Sequence, residues 1–215
     1  MDAESNRKER KTMIIETIEG EAIKLHTGDE ILCAGTGHLS KLIQWYNRLM
    51  GAKGEAAEIS HVAKFICGEV FEATTLNKWC LKSGYQSNPF DEWLQNYTGS
   101  VWVRQLSGAD IDEEKYFKAA YGLLGTPYEH GIPGLLELLL TSVATKIPFL
   151  KKWARKHLET KELHCSEANV KLSQLGGYYD RTARANKLPP CTFWTGGQYE
   201  KGFTAGFLGL PKRIK

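Results

Sequence analysis

The chain has 215 residues, long enough for one sizeable domain. Hydrophobic residues at 42% supply a core, and a charged fraction of 25% excludes global disorder. A net charge of +3 without a dense basic stripe excludes a nucleic-acid module. The five cysteines, Cys33, Cys67, Cys80, Cys165 and Cys191, are scattered and show no CxxC spacing. That argues against a disulfide framework or a structural zinc site. It points instead to a reducing compartment in which one thiol stays reactive.

Residues 1–20 read as a polar N-terminal arm, heavily charged over the first eleven, with no apolar stretch of signal-peptide type. Residues 21–215 read as a single domain. Glu21 to His26 and Glu30 to Cys33 alternate as short strands, with Gly28-Asp29 as the turn between them. From about Leu39 to Met50 runs an amphipathic helix, its apolar residues Leu39, Leu42, Ile43, Tyr46 and Leu49 at helical spacing. Gly51 to Glu58 is loop. His61 to Cys67 reads as a buried strand, Gly68-Glu69 as a tight turn, and Val70 to Thr75 as the hairpin partner.

Ser87 to Gly99 is rich in turn residues and aromatics, and Ser100 to Leu106 is a further strand. Asp110 or Asp112 caps a helix running through Leu124, which Gly125 and Pro127 stop. Residues 129–162 form a helical insertion, apolar from Gly134 to Ala144 and then basic from Lys146 to His157. Glu162 to Leu175 is helical and ends at Gly176-Gly177. From Leu188 the tail is rich in Pro, Gly and aromatics and wraps the domain as short strands. No run reaches the roughly 20 apolar residues of a spanning helix. Gly134 to Leu150 is interrupted by Glu137, Lys146 and Pro148. Strands and a helix, then a hairpin, then helices make the fold class α+β.

A thiol nucleophile needs a lowered pKa, a base nearby and a group that orients the base. Cys165 stands near the start of a helix, where unpaired N–H groups and the dipole favour a thiolate. His61 opens a strand and is the candidate base. His38, His130, His157 and His164 compete with it, but His164 and Cys165, adjacent on a helix, do not face each other. Taken singly, a buried cysteine or a strand-end histidine is more often structural. The pattern carries the argument.

That pattern is Gly28-Asp29, Ser60-His61-Val62-Ala63, Val70-Phe71-Glu72-Ala73, Gly125-Thr126-Pro127-Tyr128 and Cys165-Ser166-Glu167. From about Leu25 to Leu175 it resembles the circularly permuted branch of the NlpC-type papain-like superfamily. This is the YiiX-like group related to lecithin:retinol acyltransferase, in which the histidine strand precedes the cysteine helix. The resemblance implies a small antiparallel sheet or barrel packed against the helix bearing the catalytic cysteine. It implies Cys165 as nucleophile, His61 as general base, Glu72 as the orienting third member, and Tyr128 as a lining residue with an oxyanion role. Two features depart from the family: Glu129 stands where aspartate is frequent, and residues 130–162 are longer and more apolar.

Glu72 presents a geometric difficulty. A turn at Gly68-Glu69 sets Phe65, not His61, opposite Glu72. His61 and Glu72 then share a face about four residues apart, roughly 13 Å at strand rise. A bulge or a wider loop has to close that gap.

The implied function is that of a cysteine amidase or peptidase. It forms an acyl-enzyme on a peptidoglycan-type peptide or an amino-acid amide and needs no cofactor or metal. Two alternatives stand beside it. One is a thiol acyltransferase or esterase acting on acyl lipids; the other is a non-catalytic structural relative, such as a phage-associated component. Residues 134–156, with Lys151, Lys152, Arg155 and Lys156, read as a packed helix followed by a solvated basic one. An interfacial reading would give weak membrane-surface contact there. Trp93, Trp102, Trp153 and Trp194 line a groove or, more ordinarily, pack the core. The expected location is cytoplasmic, or a phage-encoded protein delivered by other means.

Overall fold

The computed structural model describes residues 12–74, 84–127, 165–182 and 188–215. Tyr128, Cys80 and the insertion expected at 129–162 lie outside the described residues. The architecture is α+β. Thr12–Glu16 (β1) and Ala22–His26 (β2) form an antiparallel hairpin, so the arm drawn to residue 20 is too long: Thr12 to Glu16 is already strand. The strands Glu30–Gly35 (β3), His61–Ile66 (β4), Glu69–Thr74 (β5), Gly84–Pro89 (β6), Gly99–Arg104 (β7) and Lys212–Arg213 (β10) make the main sheet. Its order is β10-β7-β3-β4-β5-β6, antiparallel throughout. The short strands Leu106–Ser107 (β8) and Phe207–Leu208 (β9) pair separately.

Successive strand residues point to opposite faces, and both faces of this sheet are covered. Ile31, Cys33, Ala63, Phe65, Val70, Val101 and Val103 face one way. They pack against Phe90 and Trp93 of the helix Phe90–Asn96 (α3) and against Ile23 and Leu25 of β2. Leu32, Val62, Ile66, Phe71, Ala73 and Trp102 face the other way. They meet the helices Glu113–Gly122 (α4) and Cys165–Gly176 (α5) and the C-terminal segment. Asp112 caps α4 by accepting from the Lys115 N–H at 3.0 Å, as its side chain predicts.

The helix His38–Leu49 (α1) forms where expected, but its buried face is rotated from the apolar stripe toward Gln44 and Asn47. Gln44 and Asn47 are buried. Gln44 donates to the carbonyls of Gly35 and Glu58, and Asn47 to those of Ala57 and Ile59. These polar side chains satisfy the loop around the short helix Glu55–Glu58 (α2), whose carbonyls would otherwise be orphaned. Tyr46 alone of the five expected apolar residues is fully buried, while Leu42 and Leu49 are exposed.

Two buried charges organise the α5 side. Lys64 pairs with Glu30, both inaccessible to solvent. Lys64 also donates to the Gly28 carbonyl at 3.3 Å and the Tyr178 hydroxyl at 3.1 Å. Tyr199 donates to Glu30 at 2.5 Å and shares a 2.7 Å bond with Ser173 of α5. Arg104 donates to the carbonyls of Phe193, Leu208 and Gly209 and pairs with Glu200, pinning the C-terminal segment to the sheet edge. At the Gly28-Asp29 turn, Asp29 accepts from the N–H groups of His26 and Leu106. Burial nevertheless pushes its carboxyl up to about 7.

The β4–β5 turn differs by one residue from the sequence expectation. Ile66 pairs with Glu69, so the two turn residues are Cys67 and Gly68. Both have positive φ, 51° and 86°, as a type I′ turn requires. We predict that Gly68→Ala costs about 1–2 kcal/mol, because a Cβ is strained at that φ. Urea unfolding of the variant, with an unchanged slope, checks the figure; a midpoint equal to the parent's would refute it.

Candidate active site

The β4–β5 register determines what His61 can reach. Lys64 opposes Phe71, and the ladder ends there. One step further, Glu72 stands level with Ala63, two residues from His61 on the same face. That is half the separation the Gly68-Glu69 turn implies. Diagonal neighbours of this kind lie about 7–8 Å apart at their backbones, within reach of long side chains. No bulge is required. His61 Nε2 donates to Glu72 Oε2 at 2.7 Å.

Glu72 is itself held. Its Oε1 accepts from Trp93 Nε1 at 3.1 Å and from Gln86 Nε2 at 3.2 Å. The carboxylate is buried, so each donor matters more than it would in water. Neither Trp93 nor Gln86 is singled out by the sequence as an orienting residue. The spacing Phe90, Trp93, Tyr97 is the helical signal that would have placed Trp93 on a helix beside the sheet.

Cys165 comes from the other layer. Helix α5 packs on the Val62–Ile66 face, through Ala168 and Leu172. Beyond Lys64 the Val62 N–H has no β5 partner, and it donates instead to the Cys165 thiol. The same sulfur is hydrogen-bonded to His61, and Ser166 Oγ lies 3.9 Å away. Asn169 Nδ2 donates to the Cys165 carbonyl at 2.9 Å, bracing that turn of the helix. With Nε2 committed to Glu72, Nδ1 is the His61 nitrogen left for the thiol. The His61 side chain keeps 15% exposure, so the pair has an opening to solvent.

The electrostatics follow from these contacts. Burial works against ionisation of Cys165, yet the His61 hydrogen bond and charge, with the Val62 N–H, outweigh it and lower the thiol's pKa. Burial also works against a charged His61, but Cys165 and Glu72 raise the imidazole to about 10. Both shifts favour a thiolate–imidazolium pair. Cys33 sits opposite His61 in the β3–β4 register, where burial and then the charge on Glu72 push its thiol well up. Burial likewise pushes Cys191 up to about 11. Fold position therefore distinguishes Cys165 from these two thiols.

Among the competing histidines, His38 is exposed on α1, and His130, His157 and His164 lie outside the described residues with Tyr128. No protein-family model matches this sequence, and no curated protein matches it. The geometry therefore stands on its own, as an α+β protein with a Cys–His–Glu chain spanning its sheet.

Two outcomes test the site. Iodoacetamide labelling of Cys165, followed by peptide mass spectrometry, should stay fast well below the ordinary thiol pKa of about 8.5. Its rate falls in acid as the thiolate protonates. In His61→Ala the midpoint returns to 8.5 or above, because the lowering depends on the imidazolium. A wild-type midpoint at 8.5 would refute the ion pair.

Glu72→Gln should raise the midpoint by roughly 1–2 units, since a charge-assisted bond contributes about 1.5–3 kcal/mol. Trp93→Phe, which keeps the ring and removes the N–H, should shift it the same way by about half as much. Unchanged midpoints in folded variants would show that Glu72 does not act through His61.

Proposed function

We propose that this chain is a cysteine hydrolase of the permuted papain-like kind, cleaving an amide through an acyl-thioester on Cys165. The observation that carries the proposal is the unbroken hydrogen-bonded chain from Cys165 through His61 to Glu72. The reaction follows from the roles of these groups. The Cys165 thiolate attacks the amide carbonyl carbon. As the tetrahedral species collapses, the C–N bond breaks and His61 Nδ1–H protonates the departing amine. Water then attacks the thioester, His61 Nδ1 takes its proton, and the returning thiolate is the leaving group. Throughout, Glu72 accepts from Nε2–H and stabilises the imidazolium.

The resemblance in sequence supports peptidoglycan-type peptides or amino-acid amides as the substrate class. A second reading, transfer of an acyl group from a lipid, follows from the related transferases in the resemblance; the residues clustered with Cys165, among them Leu32, Val62 and Phe193, are buried core. The apolar channel expected from 134–150 lies outside the described residues. Contact between Cys165 and His61 speaks against a purely structural relative.

The test is a panel of chromogenic amino-acid amides and short-chain acyl esters, with mass spectrometry of the trapped acyl-enzyme. Cys165→Ala should form no adduct, and His61→Ala should turn over roughly 10²–10⁴-fold more slowly. Adducts from amides resolved by water support the hydrolase. Adducts from esters alone, resolved by an added alcohol or amine, support the transferase. Turnover that survives in Cys165→Ala would overturn both.

A further inference from the structure

Helix α1 is rotated so that part of its apolar stripe faces outward, and that orientation is locked. Its buried side, Gln44 and Asn47, bonds four loop carbonyls, so the helix cannot rotate its apolar side inward without orphaning them. The outward stripe is Leu42, Trp45 and Leu49, at i, i+3 and i+7, exposed by 37%, 50% and 57%, with Met50 beside its end. Large apolar side chains gathered on one exposed stripe, rather than scattered singly, are candidates for a contact surface. Lys41 and Arg48 flank the stripe, and the helix His38–Leu49 contains no aspartate or glutamate. Arg48 reaches Glu58 on α2, while Lys41 is exposed.

We infer that this face of α1 lies on an anionic lipid surface, with Leu42, Trp45 and Leu49 in the headgroup–acyl boundary and Lys41 at the phosphates. A cation beside an apolar stripe matches such a surface, whose outer layer is negative and whose next layer is apolar. A tryptophan, apolar with a single N–H donor, suits that boundary. The helix is too short to span: no helix among the described residues is long and apolar enough to cross a membrane. Its carbonyl contacts at Ile59 and Glu58 tie it to the start of β4, so docking would hold the His61 end of the sheet near the lipid. The inference is independent of the thiol chemistry.

Co-sedimentation of the full chain with phosphatidylcholine vesicles, with and without phosphatidylserine, tests it. The chain should pellet with the phosphatidylserine vesicles and be released by salt. Trp45→Gln/Leu49→Gln should weaken binding at least roughly tenfold, because two apolar anchors leave the lipid. Lys41→Glu should weaken it less. Both variants change exposed positions and should keep the parent's thermal midpoint. No binding by the parent chain would overturn the inference. So would binding undiminished in Trp45→Gln/Leu49→Gln, which would place the contact elsewhere, for instance in 134–156. Self-association dissolved by that variant, without vesicle binding, would also overturn it by making the stripe a contact between copies.

Discussion

The pair Lys64–Glu30 fixes the relation between the sheet and everything packed on its α5 side. Two charges out of water each cost several kcal/mol, so such a pair needs further donors and acceptors around it. Here they come from far apart in the chain: the Gly28 carbonyl before β3, Tyr178 just after α5, and Tyr199 in the C-terminal segment, while Glu30 Oε2 is left without a hydrogen-bond partner. Ser173 of α5 joins through Tyr199. Any slide of α5 along the sheet would strand one of these groups. The helix is therefore held at one height, the height at which Cys165 meets Val62 and His61.

The site is assembled from both faces of one sheet. His61, Glu72 and Trp93 belong to the layer built on α3, and Cys165 to the layer built on α5. They meet because β4 and β5 part beyond Lys64 and Phe71. A continuous ladder would have given the Val62 N–H to a β5 carbonyl and closed the way between the layers. The parting of two strands thus supplies both a donor for the sulfur and the route by which it reaches the imidazole.

Much of this was legible from residue patterns, and the failures have particular causes. Alternation located β2 and β3, an apolar run and a turn signal located the β4–β5 hairpin, and of the two candidate caps Asp110 and Asp112 it is Asp112 that starts α4. Cys165, His61 and Glu72 were selected by resemblance, while their geometry depended on a turn misplaced by one residue. Cys67 at positive φ hid the turn, since a non-glycine residue seldom takes that conformation. The face of α1 was misread because hydrophobic spacing assumes that the apolar side is the buried one. Gln44 and Asn47 rotate it, a choice set by loop carbonyls that no local pattern announces. Helix α3 was missed because turn-forming residues precede it. The strand Thr12–Glu16 fell within the arm drawn to residue 20.

The two outer strands show how the sheet ends. β7 reads Gly-Ser-Val-Trp-Val-Arg, an apolar strand that would invite another chain to pair if its edge were bare. Lys212–Arg213 covers it with only two strand residues, both cationic, and Val101 is bonded to the backbone of Ile214 and Lys215. On the far side β6 is largely polar and closes with Pro89, which has no N–H to offer. A protease that trimmed the chain after Pro211 would uncover a template for aggregation. It would also take Ile214 out of the core around Trp93 and remove the Lys215 bonds to the Leu94 and Gln95 carbonyls of α3, so residues 212–215 guard both the sheet edge and the helix that holds Glu72.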